Sequence, residues 1–248
     1  KADGFDLVED FNDLFGMNAA GTDAKMRNTK ESILEAQFTP GAGNWCSWMF
    51  GRDLVNWNTN FTWAKWVTPS RDLINAFKKE GDEVRFKESV VYYDCNWSNY
   101  YPSDNYPFMY KCRSANSSII KYRYADVLLL KAEALIMQDT PDLDGAADII
   151  DEVRERAKLG ALSASTRSNK NAMLNALLKE RRLELAFEGQ RWFDLVRLDK
   201  VEEVMNAVYS KDSGRKAQVY AFDKTSYRLP IPQSVIDAND KIHQNPGY

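Results

Sequence analysis

Apolar positions follow clear rhythms in the second half of this chain and lose them in the first. From 123 to 137 Ala125, Val127, Leu128, Leu129, Leu130, Ala132, Ala134, Leu135 and Ile136 leave almost no polar face, which predicts a helix buried nearly all round. After Pro141 a second helix is predicted over 142–158, with Ala146, Ile149, Ile150 and Val153 on one face. The two helices, with alanine at the crossing positions 132 and 146, look like one tetratricopeptide-type repeat. A repeat of that kind cannot bury its faces alone, and about three stacked units are generally needed. Either helices from 1–20 and 172–198 act as its neighbours or preceding repeats are missing. In 178–197 Leu178, Leu185 and Phe187 give an apolar stripe, Gly189 sits where a helix would cap, and Arg191, Trp192, Phe193, Asp194 and Leu195 restart a short segment. At the start, Phe5, Leu7, Val8, Phe11, Leu14 and Phe15 read as an amphipathic helix, followed by a strand at 32–38. Helices near 72–79 and 201–208, a short strand at 219–222 and extended chain at 227–232 complete the prediction.

Between 41 and 119 the period disappears apart from the helix at 72–79. This stretch holds six of the seven tryptophans and many tyrosines, set among Asn, Ser, Gly and Pro. It reads as long irregular loops, which in compact domains are functional or disordered, and so many aromatics argue against disorder. Large aromatics too numerous to bury mark a binding surface. A pyranose offers an apolar C–H face and a rim of hydroxyls, so it calls for flat rings beside hydrogen-bonding side chains. Asn44, Asn56, Asn58, Asn60, Asp94, Asn96, Asn99 and Asp104 provide the second component. Trp48, Trp57, Trp63, Trp66, Tyr100 and Tyr101 are the leading ligand-binding candidates, and Trp45, Trp97 and Tyr106 lie in the same loops. The plainer reading is that some of these rings only pin the loops down.

Composition narrows the function. The 248 residues, 44% hydrophobic and 28% charged, suit a globular protein with one sizeable core. A net charge of −3 gives no basic field for nucleic acid or an acidic membrane surface. No apolar run is long enough to span a bilayer, and the opening KADGFDLVEDF lacks the features of a signal peptide. Cys46, Cys95 and Cys112 cannot all pair; Cys95 and Cys112 flank a Tyr/Pro-rich loop, where a bridge and two free thiols are both open. One histidine, His243, and no paired-cysteine motif leave no metal set, and no cofactor motif is present. Glu180, Glu184 and Glu188 share a helix face, and glycoside hydrolysis uses two carboxylates. Two acids on one helix cannot flank a sugar from opposite sides, however. Arg181, Arg182 and Arg191 are close enough to pair with them and depress their pKa values, so they read as structural. Trp192, Phe193, Tyr122 and Tyr124 read as core.

The motifs at Arg123 to Val127, Ala132 to Ala134, Val153 to Ala157, Glu180 to Arg182, Glu188-Gly189, Arg191 to Leu195, Leu229 to Pro232 and Gln244 to Tyr248 resemble, in order, the carboxy-terminal signature of the SusD/RagB family. Glu31 to Glu35 and Thr68 to Leu73 extend the likeness weakly into the first half. The resemblance implies a mainly α, SusD-like fold: a tetratricopeptide-type helical scaffold with long irregular loops and short β segments. The expected organisation is a single domain over 1–248 lacking amino-terminal repeats. Within it, 1–122 is an aromatic-rich loop region with a few helices, 123–200 the helical repeat and scaffold, and 201–248 a terminal segment. The implied function is non-catalytic capture of an extracellular nutrient, an oligosaccharide first, for a SusC-like TonB-dependent transporter. The implied place is the outward face of the cell outer membrane, with a lipid anchor on an amino-terminal part absent from this chain. Peptide binding by the same fold and a glycosidase remain as alternatives. No nucleic-acid partner, cofactor or metal is expected.

Overall fold

The computed structural model describes residues 4–38, 67–95, 100–211 and 221–248. The chain divides into two compact units, Lys1–Gly189 and Gln190–Tyr248. The first contains α1 (Asn12–Phe15), β1 (Ser32–Ala36), α2 (Arg71–Glu80), α3 (Glu83–Ser89), β2 (Val90–Tyr93), β3 (Tyr106–Met109), β4 (Ile119–Arg123), α4 (Tyr124–Met137), α5 (Leu143–Arg156), α6 (Ala164–Arg167) and α7 (Lys170–Glu184). The second contains α8 (Arg191–Arg197), α9 (Val201–Lys211), a 3-10 turn at Lys224–Tyr227 and α10 (Gln233–Asp237).

The predicted helical pair forms, and α7 completes it. Ala125, Leu128, Leu129, Ala132 and Ile136 of α4 meet Ala146, Ala147, Ile150 and Val153 of α5 and Met173 and Leu177 of α7 in one buried cluster that Leu7 also enters. Ala132 and Ala146 are fully buried, and their small side chains allow close approach of the helices. Side-chain caps fix the starts: Asp142 accepts from the Gly145 amide and Asn169 from the Ala172 amide. Burial of α4 is less complete than its composition predicts. Val127, Leu130 and Met137 are exposed at 46%, 42% and 52%, because α5 and α7 cover only part of its circumference.

The amino-terminal helix shrinks to the single turn α1. The Asp6 amide donates to the Lys30 carbonyl and the Val8 amide to the Glu31 carboxylate, so donors that a helix would use are drawn toward the segment preceding β1. The apolar residues still do what their pattern requires: Val8, Phe11, Leu14 and Phe15 are buried with Ile120. The stretch read as irregular contains α3, β2 and β3; the β-branched and aromatic Val90-Val91-Tyr92-Tyr93 suits a strand, pairing antiparallel from Val90 with Met109 to Tyr93 with Tyr106. β1 and β4 form a second antiparallel pair, Ser32 opposite Arg123 and Leu34 opposite Tyr122.

Of the two states left open for Cys95 the structure gives the free thiol, buried beside Tyr106 and Phe108, and no bridge joins it to Cys112. Other expectations change. Tyr122 is 54% and Phe193 65% exposed and neither is core, whereas Tyr124 packs on the main cluster and Trp192 sits edge-on to Phe222. Of 219–222, only Ala221 and Phe222 are described, and neither is in a strand. α7 ends at Glu184, so Leu185 and Phe187 lie in the following turn, where Gly189 has φ +83°.

Candidate functional site

The three glutamates of the α7 segment lie inside a buried network of charge. β4 ends at Arg123, which is 1% exposed, and its pairing with β1 brings Glu31 alongside: the Tyr124 amide donates to the Glu31 carbonyl at 2.8 Å. Arg123 donates to Glu31 at 2.7 Å, to Glu188 at 2.7 Å and to Glu184. Asp82 caps α3 by accepting from the Arg85 amide and also receives the Arg85 guanidinium, whose Nη1 reaches Glu180 at 2.6 Å and Glu184 at 3.0 Å. Arg156 donates to Glu31 at 2.6 Å and to Glu184. Arg154 donates to Glu80 at 2.7 Å and Glu180 at 3.1 Å. Lys111 donates to the Glu184 carbonyl at 2.9 Å and to the Glu188 carboxylate.

Burial opposes the charged form of each carboxylate and the cations oppose burial, with different winners. Glu184, facing Arg156, Arg123 and Arg85, is held well below the usual carboxylate range, and Glu188 is lowered by Arg123 and Lys111. At Glu180 burial wins over Arg85 and Arg154 and the carboxyl is raised; burial likewise raises Asp82. Burial also pushes Lys111 down to about 8, against the pull of Glu188. The structural reading of the Glu series therefore holds, with two corrections. The described partners are Arg85, Arg123, Arg154, Arg156 and Lys111; of the nearby arginines expected to pair, Arg181 meets Asp126 and Arg182 meets Asp72. Glu180 is also raised rather than depressed. With Glu180 and Glu184 fully buried, no sugar has access to flank them.

A cleft accessible to ligand lies where α2 faces β2 and the turn before β3. Ser70 caps α2 by accepting from the Leu73 amide, and Gly81 ends it with φ +71°. Phe77, with Leu73 and Ala76 alongside, packs on Leu183 and Ala186 of the α7 segment. That orientation sets Arg71, Ile74, Asn75 and Lys78 along one wall of a cleft of about 220 Å³, with Tyr92, Tyr101, Pro102 and Asn105 also lining it. The Tyr101 hydroxyl donates to the Pro69 carbonyl at 2.8 Å. Its ring meets Tyr106 edge-on at 5.7 Å and Tyr100 edge-on at 4.6 Å. The Arg71 guanidinium lies 4.2 Å from the Tyr100 ring centre and 5.1 Å from that of Tyr101, and donates to the Tyr100 carbonyl. Burial raises the pKa of Tyr92 and Tyr106, so both remain neutral hydroxyls at neutral pH.

Of the six candidates from the sequence, Tyr101 lines this cleft and Tyr100 buttresses it; Trp48, Trp57, Trp63 and Trp66 lie outside the described residues. Sequence reasoning missed Arg71, Asn75, Lys78, Tyr92 and Asn105. Their one legible sign was the i, i+4, i+7 spacing of Arg71, Asn75 and Lys78, which places them on one helix face.

Residues 105–248 match the SusD family. SusD-like protein P2 of Formosa agariphila is 33% identical over 142 residues, covering 55% of this chain and 27% of its own length. A SusD homolog from Bacteroides thetaiotaomicron has a TM-score of 0.71 at 19% identity, over 100% of this chain and 57% of that one. Surface glycan-binding protein A from the same species, solved in complex with laminarihexaose, has a TM-score of 0.63 at 20% identity, over 98% of this chain and 56% of that one. This chain spans little more than half of those solved structures and about a quarter of the Formosa relative. At such identities the structural likeness establishes the fold.

Proposed function

This chain belongs to the SusD family, and on that premise we propose that it captures an extracellular glycan without cleaving it, for delivery to a SusC-like TonB-dependent transporter at the outward face of an outer membrane. The observation that carries the glycan reading is the Arg71–Tyr101 cleft, which combines aromatic rings with amide and cationic side chains. Stacking of a sugar face on a ring and pairing of its hydroxyls with Asn75, Asn105, Arg71 and Lys78 need no cofactor. A fold neighbour solved with laminarihexaose supports a saccharide ligand. Trp48, Trp57, Trp63 and Trp66 belong to the same proposal as further stacking residues, and the lipid anchor and transporter partner rest on family membership. The absence of catalysis is supported by the burial and ion pairing of Glu180 and Glu184.

The test is calorimetric titration with a panel of oligosaccharides, paired with an assay for newly released reducing ends. Binding without release is expected. Tyr101→Ala weakens it by about thirtyfold if the ring is a stacking anchor, with melting curves to separate lost affinity from lost fold. A peptide ligand in place of every glycan, or reducing ends released in proportion to protein, overturns the proposal.

A further inference from the structure

Given the reading above that saccharides bind in the cleft, its stacking ring owes its orientation to the chain that enters α2. Side-chain contacts join residues 68–71 to residues 100–106 in antiparallel order. The Thr68 hydroxyl bonds that of Tyr106, the Pro69 carbonyl accepts from the Tyr101 hydroxyl at 2.8 Å, and the Arg71 guanidinium donates to the Tyr100 carbonyl. Behind this seam the rings continue into the core: Tyr101 meets Tyr106 at 5.7 Å, Tyr106 meets Phe108 at 5.0 Å and Phe108 meets Tyr93 at 6.1 Å. Tyr106 and Phe108 are buried, whereas Tyr100 and Tyr101 are half-buried. Packing holds the inner rings, and the outer pair is where Arg71 acts.

Arg71 touches both outer rings at once. Its guanidinium lies 4.2 Å from the Tyr100 ring centre and 5.1 Å from that of Tyr101, and these two rings stand at 81° to each other. A planar cation of this kind stacks on aromatic faces, so one side chain spans the corner between two half-buried tyrosines and resists their rotation to other rotamers. The Tyr101 hydroxyl is engaged with Pro69, which leaves its ring as the part that it offers a ligand. A ring fixed before the ligand arrives spares the cost of ordering it on binding. We propose that Arg71 is a positioning residue of the saccharide site, holding Tyr100 and Tyr101 in place so that Tyr101 presents a preset stacking face. This role is distinct from any pairing of Arg71 with a sugar hydroxyl.

A double-mutant cycle and a ring signature test this. Laminari-, malto-, cello-, xylo- and mannohexaose are titrated by calorimetry into the parent, Arg71→Met, Tyr101→Ala and the double variant, each with a melting curve. For the hexamers that bind, Tyr101→Ala should weaken affinity about thirtyfold and Arg71→Met about tenfold, the size of cation–π contacts to two rings. In the Tyr101→Ala background Arg71→Met should weaken it by no more than about a further twofold, because the ring that it positions is gone. The second readout is fluorine NMR of the chain labelled with meta-fluorotyrosine, Tyr100→Phe and Tyr101→Phe assigning the two signals. Arg71→Met should move both signals toward the position of the unfolded chain and leave that of Tyr124, on the main cluster, unchanged. Arg71→Lys, which keeps the charge without the planar group, should move them the same way by less, and it carries the test if Arg71→Met does not fold. Signals that stay in place, independent losses that multiply to about three-hundredfold in the double variant, or binding untouched by Tyr101→Ala overturns the inference and leaves glycan capture standing. If no hexamer binds, both fall.

Discussion

Replacing Glu184 by Gln keeps the shape of the side chain and removes a charge on which Arg85, Arg123 and Arg156 converge. All four residues are at most 8% exposed, so the three guanidiniums cannot recover by turning to water. Removing one partner of a buried pair costs about 3–5 kcal/mol. Against a typical folding free energy of about 5–15 kcal/mol this is a large fraction, and in a chain of this size it corresponds to a fall in Tm of roughly 6–20 °C. Urea unfolding followed by far-ultraviolet circular dichroism measures it directly, with Glu203→Gln as control, since the Glu203 side chain is 70% exposed and pairs with Lys200 at the surface, where about 0–1 kcal/mol is expected. Glycan affinity of folded Glu184→Gln should stay within about threefold, because the network is separate from the cleft. The pH dependence supplies a second check. The folded carboxyl is held below its unfolded value of 4.5, so its stabilisation is complete above that pH and is lost as pH falls toward the depressed folded value. The difference between parent and variant should therefore shrink below about pH 4.5. A loss under about 1 kcal/mol at neutral pH, or a difference that grows in acid, refutes the reasoning.

Lys111 has the opposite sign. Burial lowers it from 10.5 to about 8, so below pH 8 both states hold the proton and the cost is present in full, and between about 8 and 10.5 the unfolded chain binds more protons and stability rises. Relative to Lys111→Met, the parent should gain about 2 kcal/mol between pH 8 and 9.5, measured by urea titration; a flat difference contradicts the assignment. On the outer side of α4, Leu130→Gln should change stability by no more than about 0.5 kcal/mol, whereas Ile136→Ala, on the buried side, should cost about 2–5 kcal/mol; equal effects would mean that the outer face is covered. Alanine at Trp48, Trp57, Trp63 or Trp66 should weaken glycan binding about thirtyfold wherever the ring is a stacking anchor, and four variants with parental affinity and melting temperature would remove these residues from the site.

The sequence by itself determined what depends on near neighbours along the chain. The apolar run of α4, the one-sided face of α5 and the break at Pro141 are local signals, and these two helices formed where those signals lay. The shared face of Glu180, Glu184 and Glu188 was equally local, as was the family resemblance carried by Arg123, Arg156 and the glutamates. What only the tertiary structure decided is which groups meet. Arg123 reaches Glu184 across 61 positions and Arg85 reaches it across 99, while the sequence neighbours Arg181 and Arg182 turn to Asp126 and Asp72. The same holds for the cleft. The stripe of Arg71, Asn75 and Lys78 is visible in the sequence, but that it faces Tyr92, Tyr101 and Asn105 follows from Phe77 packing on Leu183 and Ala186. Periodicity tells a segment which residues share a face; partners and pKa values depend on distance and burial in space, and those belong to the folded chain as a whole.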